Sequence, residues 1–397
     1  MKTVKNDNIK TDYIEYADGL RAICSILVVI IHYLLAFVPL GFVGYEYAIN
    51  PSSVDRSEYY FKYFPYSIIT NGNLVLYIFF ALISFIVATK FLSNTNTKQA
   101  MSGLQKQAAK RYFRLMPPVL ASILISYIVF AFGGIFSQEM GTDVNAALGI
   151  SSNWTLSMYP QNLNLFGAIL TGILGIFLPN GNTLYHTVTW CIYIIFIGSY
   201  LSYGFLALFG KAKNRCIFYA MFIVIGLYYQ PFSVFLIFIS GIMAADIIQI
   251  RKKSEKKELF GITMIILGFL ISIFAPNIWF GGNGNESAVL SLSTLFIICG
   301  SSESNFAVRV LSHKFWKPIS RLSFALIFTH TIILFSLSAY LFHIFYTKCN
   351  LSFPISAILT SIASVPVIVI FAVIFEKYIE RPVEKFVNNL SIKLFER

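Results

Sequence analysis

Ten apolar runs constrain this chain more than any other feature: 20–40, 68–92, 116–136, 186–209, 215–230, 232–249, 259–276, 288–300, 322–346 and 354–376. About 20 residues of helix cross the hydrocarbon core of a bilayer, where no water is present to satisfy a free backbone group. Runs of this length therefore predict membrane-spanning helices, and the expected fold class is an all-α polytopic membrane protein of ten transmembrane helices. The chain is 57% hydrophobic and only 12% charged, about half the charged share of soluble domains. A net charge of +12 invites a nucleic-acid reading, but the charges lie between the apolar runs, which argues against one.

Charge also orients the chain, because Lys and Arg concentrate in cytoplasmic loops. With ten spans and both termini cytoplasmic, only Arg56, Lys62 and Lys348 of the 30 Lys and Arg fall outside. An eleventh stretch, 165–178, is short and carries Gly167, Gly172 and Gly175. Making it a span would export Lys211, Lys213 and the basic C-terminus, so it reads as a re-entrant or interfacial segment on the outer face. The expected organisation is a cytoplasmic N-terminal segment 1–17, a ten-helix domain 18–376 and a cytoplasmic tail 377–397. The polar N-terminus is too long for a signal-peptide n-region and no small-residue cleavage site follows it, so the first helix is retained. The outer segments are 41–67, with many tyrosines and phenylalanines, and 137–185, the longest; an aromatic-rich outer loop suits a sugar-like ligand and equally an interfacial aromatic belt. Pro117 and Pro118 suit the first turn of the third span, after an inner loop 93–115.

Cys24, Cys191, Cys216, Cys299 and Cys349 stand singly and read as packing residues, with no metal or redox spacing. The polar residues of the first span are more informative. Asp18, Arg21, Ser25 and His32 fall on one helical face, with Arg21 and His32 separated by roughly 16 Å along the axis. Such a stripe must face protein or water, and an ionisable group within a span is by default a functional-site candidate. His330, some 14 Å along its helix from Arg321, lies at a comparable depth. Two imidazoles at one depth can line one cavity, and a neutral imidazole can take a proton from a hydroxyl; a helix-to-helix hydrogen bond is the bland alternative. His186 beside Trp190 reads as interfacial, and His313 and His343 carry no assigned role.

Arg111 and Arg114 are one helical turn apart at the predicted inner surface, where guanidinium forks can hold a phosphorylated group bidentately. With Arg21 at the same face, three arginines suit a polyphosphate ligand such as coenzyme A, whereas an ordinary positive-inside flank explains the neighbouring Lys106 and Lys110. The cluster Arg251, Lys252, Lys253, Lys256 and Lys257 reads as a topology signal. Apart from Glu376 at the very end of the last run, Asp246 is the one carboxylate within the spans, and a proton-driven transporter would be expected to show more.

In order along the chain, these residues resemble a known family. Asp18-Gly19-Leu20-Arg21-Ala22 leading to His32 is similar to the opening "Y-L-D-G-L-R-G … H" of the membrane acyltransferase family 3, integral membrane O-acyltransferases that modify polysaccharides. Phe79 to Phe85 resembles "F-F-x-L-S-G-F", and Lys110 to Pro117 resembles "R-R-x-x-R-x-x-P". Trp190 to Ser199 resembles "W-T-M-x-I-E-F-x-G-S", Ser323 to His330 resembles "S-F-x-L-Y-L-x-H", and Glu380-Arg381-Pro382 resembles the closing "E-x-P". The resemblance implies transfer of an acyl group, usually acetyl from acetyl-CoA, from the cytoplasmic face to a hydroxyl of a surface polysaccharide or other glycan. Arg21, Arg111 and Arg114 are then expected to bind the acyl-CoA, with no metal, and His32 and His330 to be catalytic. His32 would act as general base or transient acyl acceptor and His330 would orient or relay. Ile195 stands where the family has its glutamate, Ile83-Ser84 where it has "S-G", and Ile327-Phe328 where it has "Y-L". A transporter of a small metabolite or acyl donor, and a non-catalytic partner of a glycan-assembly system, are the competing readings.

Overall fold

The computed structural model describes residues 8–39, 70–151, 153–159, 163–179, 181, 183–251, 258–274 and 284–395. The described residues are 86% helical, without a strand. In chain order the helices are α1 (Asn8–Phe37), α2 (Gly72–Ser93), α3 (Thr97–Ala131), α4 (Ser137–Leu148), α5 (Leu165–Ile173) and α6 (Trp190–Phe209). There follow α7 (Arg215–Tyr228), α8 (Leu236–Arg251), α9 (Glu258–Ser272), α10 (Gly284–Glu303), α11 (Asn305–Leu311) and α12 (Trp316–Ile333). Two π-helical turns, Leu334–Ser338 and Ile344–Lys348, carry α12 on to Lys348, and α13 (Phe353–Phe375) continues through another, Glu376–Glu380, into α14 (Arg381–Phe395). The expected outer loop 41–67, with Arg56 and Lys62, lies outside the described residues, as do Lys252, Lys253, Lys256 and Lys257 of the basic cluster.

Each predicted apolar run falls on a helix, but fewer helices than expected can cross a bilayer by length and composition. Among the described residues six qualify, Glu15–Phe37, Gly72–Ser93, Thr97–Ala131, Thr187–Phe209, Trp316–Lys348 and Phe353–Lys393, or seven if the bent pair Glu286–Glu303 and Asn305–Leu311 is one span. The reason is length: α7, α8 and α9 have 14, 16 and 15 residues, roughly 21 to 24 Å of helix against a core of about 30 Å. The stretch 165–178 forms the nine-residue α5 and a 3₁₀ turn, Gly175–Phe177, too short to span and consistent with a non-spanning segment.

One expectation of the sequence is corrected. Pro117 and Pro118 do not open a helix after a loop; they lie inside the 35-residue α3, which starts at Thr97. Each proline removes one i→i−4 hydrogen bond, and the freed carbonyls belong to Phe113 and Arg114. These sit where the helix changes from polar to apolar, so water can take the place of the lost donors.

The chain forms two compact units. The first contains Met1–Leu27, Asn71–Arg111 and Ile194–Ser323; the second contains Val28–Thr70, Tyr112–Tyr193 and Phe324–Arg397. In the first, α2 begins where the Asn71 side chain accepts the Leu74 N–H at 2.9 Å, and its Phe80 stacks on Phe238 of α8 at 6.3 Å. α9 and α10 approach through Gly261 and Gly300, where an added Cβ would meet the facing backbone; small residues let membrane helices pack this closely. α10 and α11 meet at 94°, and Ser304 caps the turn by accepting the Ala307 N–H at 3.0 Å.

In the second unit α13 shows the inverted pattern of a lipid-facing helix. Ser356, Thr360, Ser364, Ile368 and Ala372 are buried at a spacing of four, while Ile355, Ile358, Ile362, Val369 and Ile370 are exposed. In water this arrangement would waste the hydrophobic effect; in lipid it puts small and polar residues at helix contacts and apolar ones outward. Phe335, in the first π-helical turn, has a carbonyl that accepts the Phe136 N–H at 2.8 Å. Tyr33 Oη and Ser338 Oγ bond at 2.7 Å, tying α1 to the same turn.

Candidate active site

The second unit brings His32 and His330 together, with ring centroids 4.7 Å apart at 64°. Each is oriented by its own helix. His32 Nδ1 lies 2.8 Å from the Val28 carbonyl and His330 Nδ1 lies 2.8 Å from the Leu326 carbonyl, both four residues back. A carbonyl only accepts, so Nδ1 donates in each ring and the neutral imidazole keeps a bare lone pair on Nε2. Two bases of the same tautomer thus stand side by side. His32 is partly accessible and His330 is fully buried, and His330 Nε2 has no hydrogen-bond partner among the described residues.

A third imidazole was not anticipated at this place. His186, expected at the interface, is wholly buried, and its Nε2 bonds Thr331 Oγ1 at 3.1 Å, next in sequence to His330. Its Nδ1 has no hydrogen-bond partner among the described residues. Trp154 is the other residue that sequence reasoning missed. It opens the 3₁₀ turn Trp154–Ser157, and its indole lies 5.6 Å from the His32 ring and 5.0 Å from Phe335. The legible signal was local: Asn153 is a capping residue whose side chain accepts the Thr155 N–H at 3.0 Å. Beyond the turn, Ser126 Oγ donates to the Tyr185 carbonyl at 2.7 Å, leaving it to accept from Tyr159 Oη at 2.8 Å. Burial pushes the Tyr159 phenol up to about 12, so it remains a donor.

The arginines are placed as follows. Arg21 belongs to the first unit, where Nη2 bonds Asp18 Oδ1 at 2.9 Å and Ser320 Oγ at 2.6 Å, and Nε reaches Ser320 Oγ at 3.0 Å. Ser320 Oγ in turn donates to Asp18 Oδ1 at 3.0 Å, closing a three-membered network that fixes the guanidinium. Gly19 lies against the Leu311 backbone, with no space for a Cβ. Arg111 is in the first unit and Arg114 in the second. Arg114 pairs with Glu384 at 3.2 Å, both largely exposed, a contact worth about 0 to 1 kcal/mol that a polyanion can displace.

Other expectations fall on structural contacts. Asp246 takes a bidentate bond from Arg215 at 2.6 and 2.9 Å and a third from Tyr219 Oη at 3.1 Å. Cys24, Cys191 and Cys299 are buried, whereas Cys216 and Cys349 are exposed. Ile195, at the position of the family glutamate, is buried. No group of three or more His, Cys, Asp or Glu among the described residues is disposed to hold a metal ion.

Chemically, the paired imidazoles can withdraw a proton from a hydroxyl and return it to a leaving group, and the arginines can bind anions. No curated protein and no solved structure matches the chain. A family model described as an acyltransferase domain, Acyl_transf_3, matches residues 14–376, a stretch that begins before Arg21 and closes after His330. With its membrane-spanning helices, the chain belongs to this acyltransferase family and is a multi-pass membrane acyltransferase.

Proposed function

We propose that the chain moves an acyl group, in the first instance acetyl, from cytoplasmic acyl-CoA to a hydroxyl of an extracytoplasmic glycan. The observation that carries the chemistry is the His32 and His330 pair, whose Nδ1 atoms are engaged by backbone carbonyls so that Nε2 is the basic atom in each. In direct transfer, His32 Nε2 takes the acceptor hydroxyl proton as the oxygen attacks the thioester carbonyl. The C–O bond forms, the C–S bond breaks, and the proton passes to the coenzyme A sulfur. An acyl-imidazole on His32 is the two-step version of the same balance. His330, in ring contact with His32, orients it or relays the proton.

Arg21, Arg111 and Arg114 are assigned to the donor's phosphates, a role that suits planar guanidinium forks. The Asp18 and Ser320 contacts favour this for Arg21, because they hold its side chain in one rotamer before ligand arrives. The membrane topology proposed is ten crossings, both termini cytoplasmic, with 165–178 re-entrant or interfacial on the outer face of a plasma or inner membrane. The short helices α7, α8 and α9 then cross in a locally thin or protein-lined region. The transporter reading is weakened because Asp246 is occupied by Arg215 and Tyr219. Ile195 in place of the family glutamate favours a second reading, a non-catalytic partner in glycan assembly.

The experiment is surface-glycan O-acetyl content in a deletion strain complemented with wild type, His32→Ala or Arg114→Ala. Wild type restores acetyl content and His32→Ala does not. Equal restoration by His32→Ala sinks the catalytic assignment, and no change on deletion sinks the enzyme reading. Topology is read on intact cells with a membrane-impermeant thiol reagent: exposed Cys349 labels, whereas Ala212→Cys in a cysteine-free background does not.

A further inference from the structure

The 137–185 segment follows α3 at the end away from Arg114. From Arg114 to Ala131 that helix runs 17 residues, about 26 Å, so the segment starts far from Arg114. Yet it delivers Trp154 to His32. The delivery is rigid. Asn153 Nδ2 donates to the Gly141 carbonyl at 2.9 Å and to Asn145 Oδ1 at 2.7 Å, anchoring the turn to α4. Gln138 Nε2 donates to the Leu156 carbonyl at 2.7 Å. At the far end Tyr159 has φ +56°, a conformation that costs a non-glycine residue about 1 kcal/mol or more; its ring packs 5.9 Å from Phe335 and its hydroxyl bonds Ser126.

The result is an indole, partly exposed, backed by Phe335 and tilted 51° to the His32 ring. A large flat apolar face beside a base matches the chemistry of a sugar ring: one face of a pyranose is a sheet of C–H bonds, while its edge carries hydroxyls. We infer that Trp154 is a specificity-determining residue of the acceptor subsite, its indole receiving the C–H face of a pyranose and presenting a ring hydroxyl to His32. This rests on the acyltransfer reading above and adds the acceptor's recognition.

The test uses membranes carrying wild type, Trp154→Phe or Trp154→Leu, radiolabelled acetyl-CoA, and surface polysaccharide from the deletion strain stripped of esters by mild base. Trp154→Leu keeps apolar bulk without a ring face; it raises the acceptor KM on the order of tenfold and leaves the donor KM unchanged. Trp154→Phe, which keeps a smaller ring face, raises the acceptor KM less than Trp154→Leu does. An acceptor KM unchanged in Trp154→Leu, or donor and acceptor KM rising together, overturns the inference. In parallel, purified wild type titrated with the same polysaccharide gives a fluorescence change that Trp154→Phe lacks; identical traces overturn it even if the leucine variant does not accumulate. Absence of transfer by wild type refutes the glycan acyltransfer reading itself, a result distinct from normal transfer that is indifferent to residue 154.

Discussion

The tautomers of the histidine pair make His32→Asn the most informative substitution. An asparagine amide places an N–H donor close to where the His32 ring places Nδ1–H, so the bond to the Val28 carbonyl, 2.8 Å in the native protein, can be kept. Nothing in asparagine replaces Nε2. The two contributions therefore separate. Retaining the backbone bond limits the stability change from that source to well under the roughly 1 kcal/mol that a hydrogen bond contributes, with some further loss from the smaller side chain against Trp154 and His330. Loss of a positioned general base lowers the rate by about 10²–10⁴-fold, or roughly 3 to 5 kcal/mol of barrier. His32→Gln is the counterpart: it extends polar atoms toward the Nε2 position and gives up the Nδ1 bond. Acyl transfer in membranes at matched protein levels, with thermal unfolding of detergent-purified protein, reads both quantities. His32→Asn is expected to be stable and inactive. If it retains a third or more of wild-type activity, His32 Nε2 is not the base and the proton chemistry belongs elsewhere. If it unfolds several degrees early and loses activity only in proportion to folded protein, the imidazole is a packing element.

Two further predictions concern the contacts around the first unit. Asp246→Ala leaves Arg215, which is 24% exposed, without its bidentate partner and is expected to destabilise by roughly 3 kcal/mol in thermal unfolding, whereas Asp246→Leu with Arg215→Met recovers most of that; equal loss in both variants would mean that the pair is not what the site requires. Glu258 accepts from the Ser304 hydroxyl and from the Asn305 and Phe306 N–H groups, and these bonds, the Ser304 hydroxyl first, hold its carboxyl below the usual glutamate range. Because the folded value is depressed, its contribution is present above the unfolded value of about 4.3 and disappears as pH falls through the folded value. Amide protection factors at residues 305 to 307, corrected for the intrinsic slowing of exchange in acid, should fall on acidification below that point in wild type, and Glu258→Gln should lack this step; a matching step in both would assign it to another group.

Much of this protein is legible in its order of residues. Apolar runs must become helices in lipid because each helix satisfies its own backbone, so 20–40 yields α1 and 354–376 yields α13 without reference to anything distant. The stripe Asp18, Arg21, Ser25 and His32 follows from helical period alone. What local order misjudges is where a helix starts or stops when several outcomes are locally acceptable: Pro117 and Pro118 suit a first turn, yet α3 runs through them, because the polar-to-apolar boundary leaves their freed carbonyls open to water. Tertiary structure alone decided that His32, Trp154, His186 and His330 share one unit. Helical rise along α1 and α12 puts His32 and His330 at one depth, but no period or spacing connects them with Trp154 and His186, which lie in two segments of the 137–189 region. Their meeting depends on helix packing, on a turn anchored by Asn153 and on a tyrosine held at positive φ. The helices were set by the solvent the chain must live in, whereas the site was set by which side chains those helices could bring into contact.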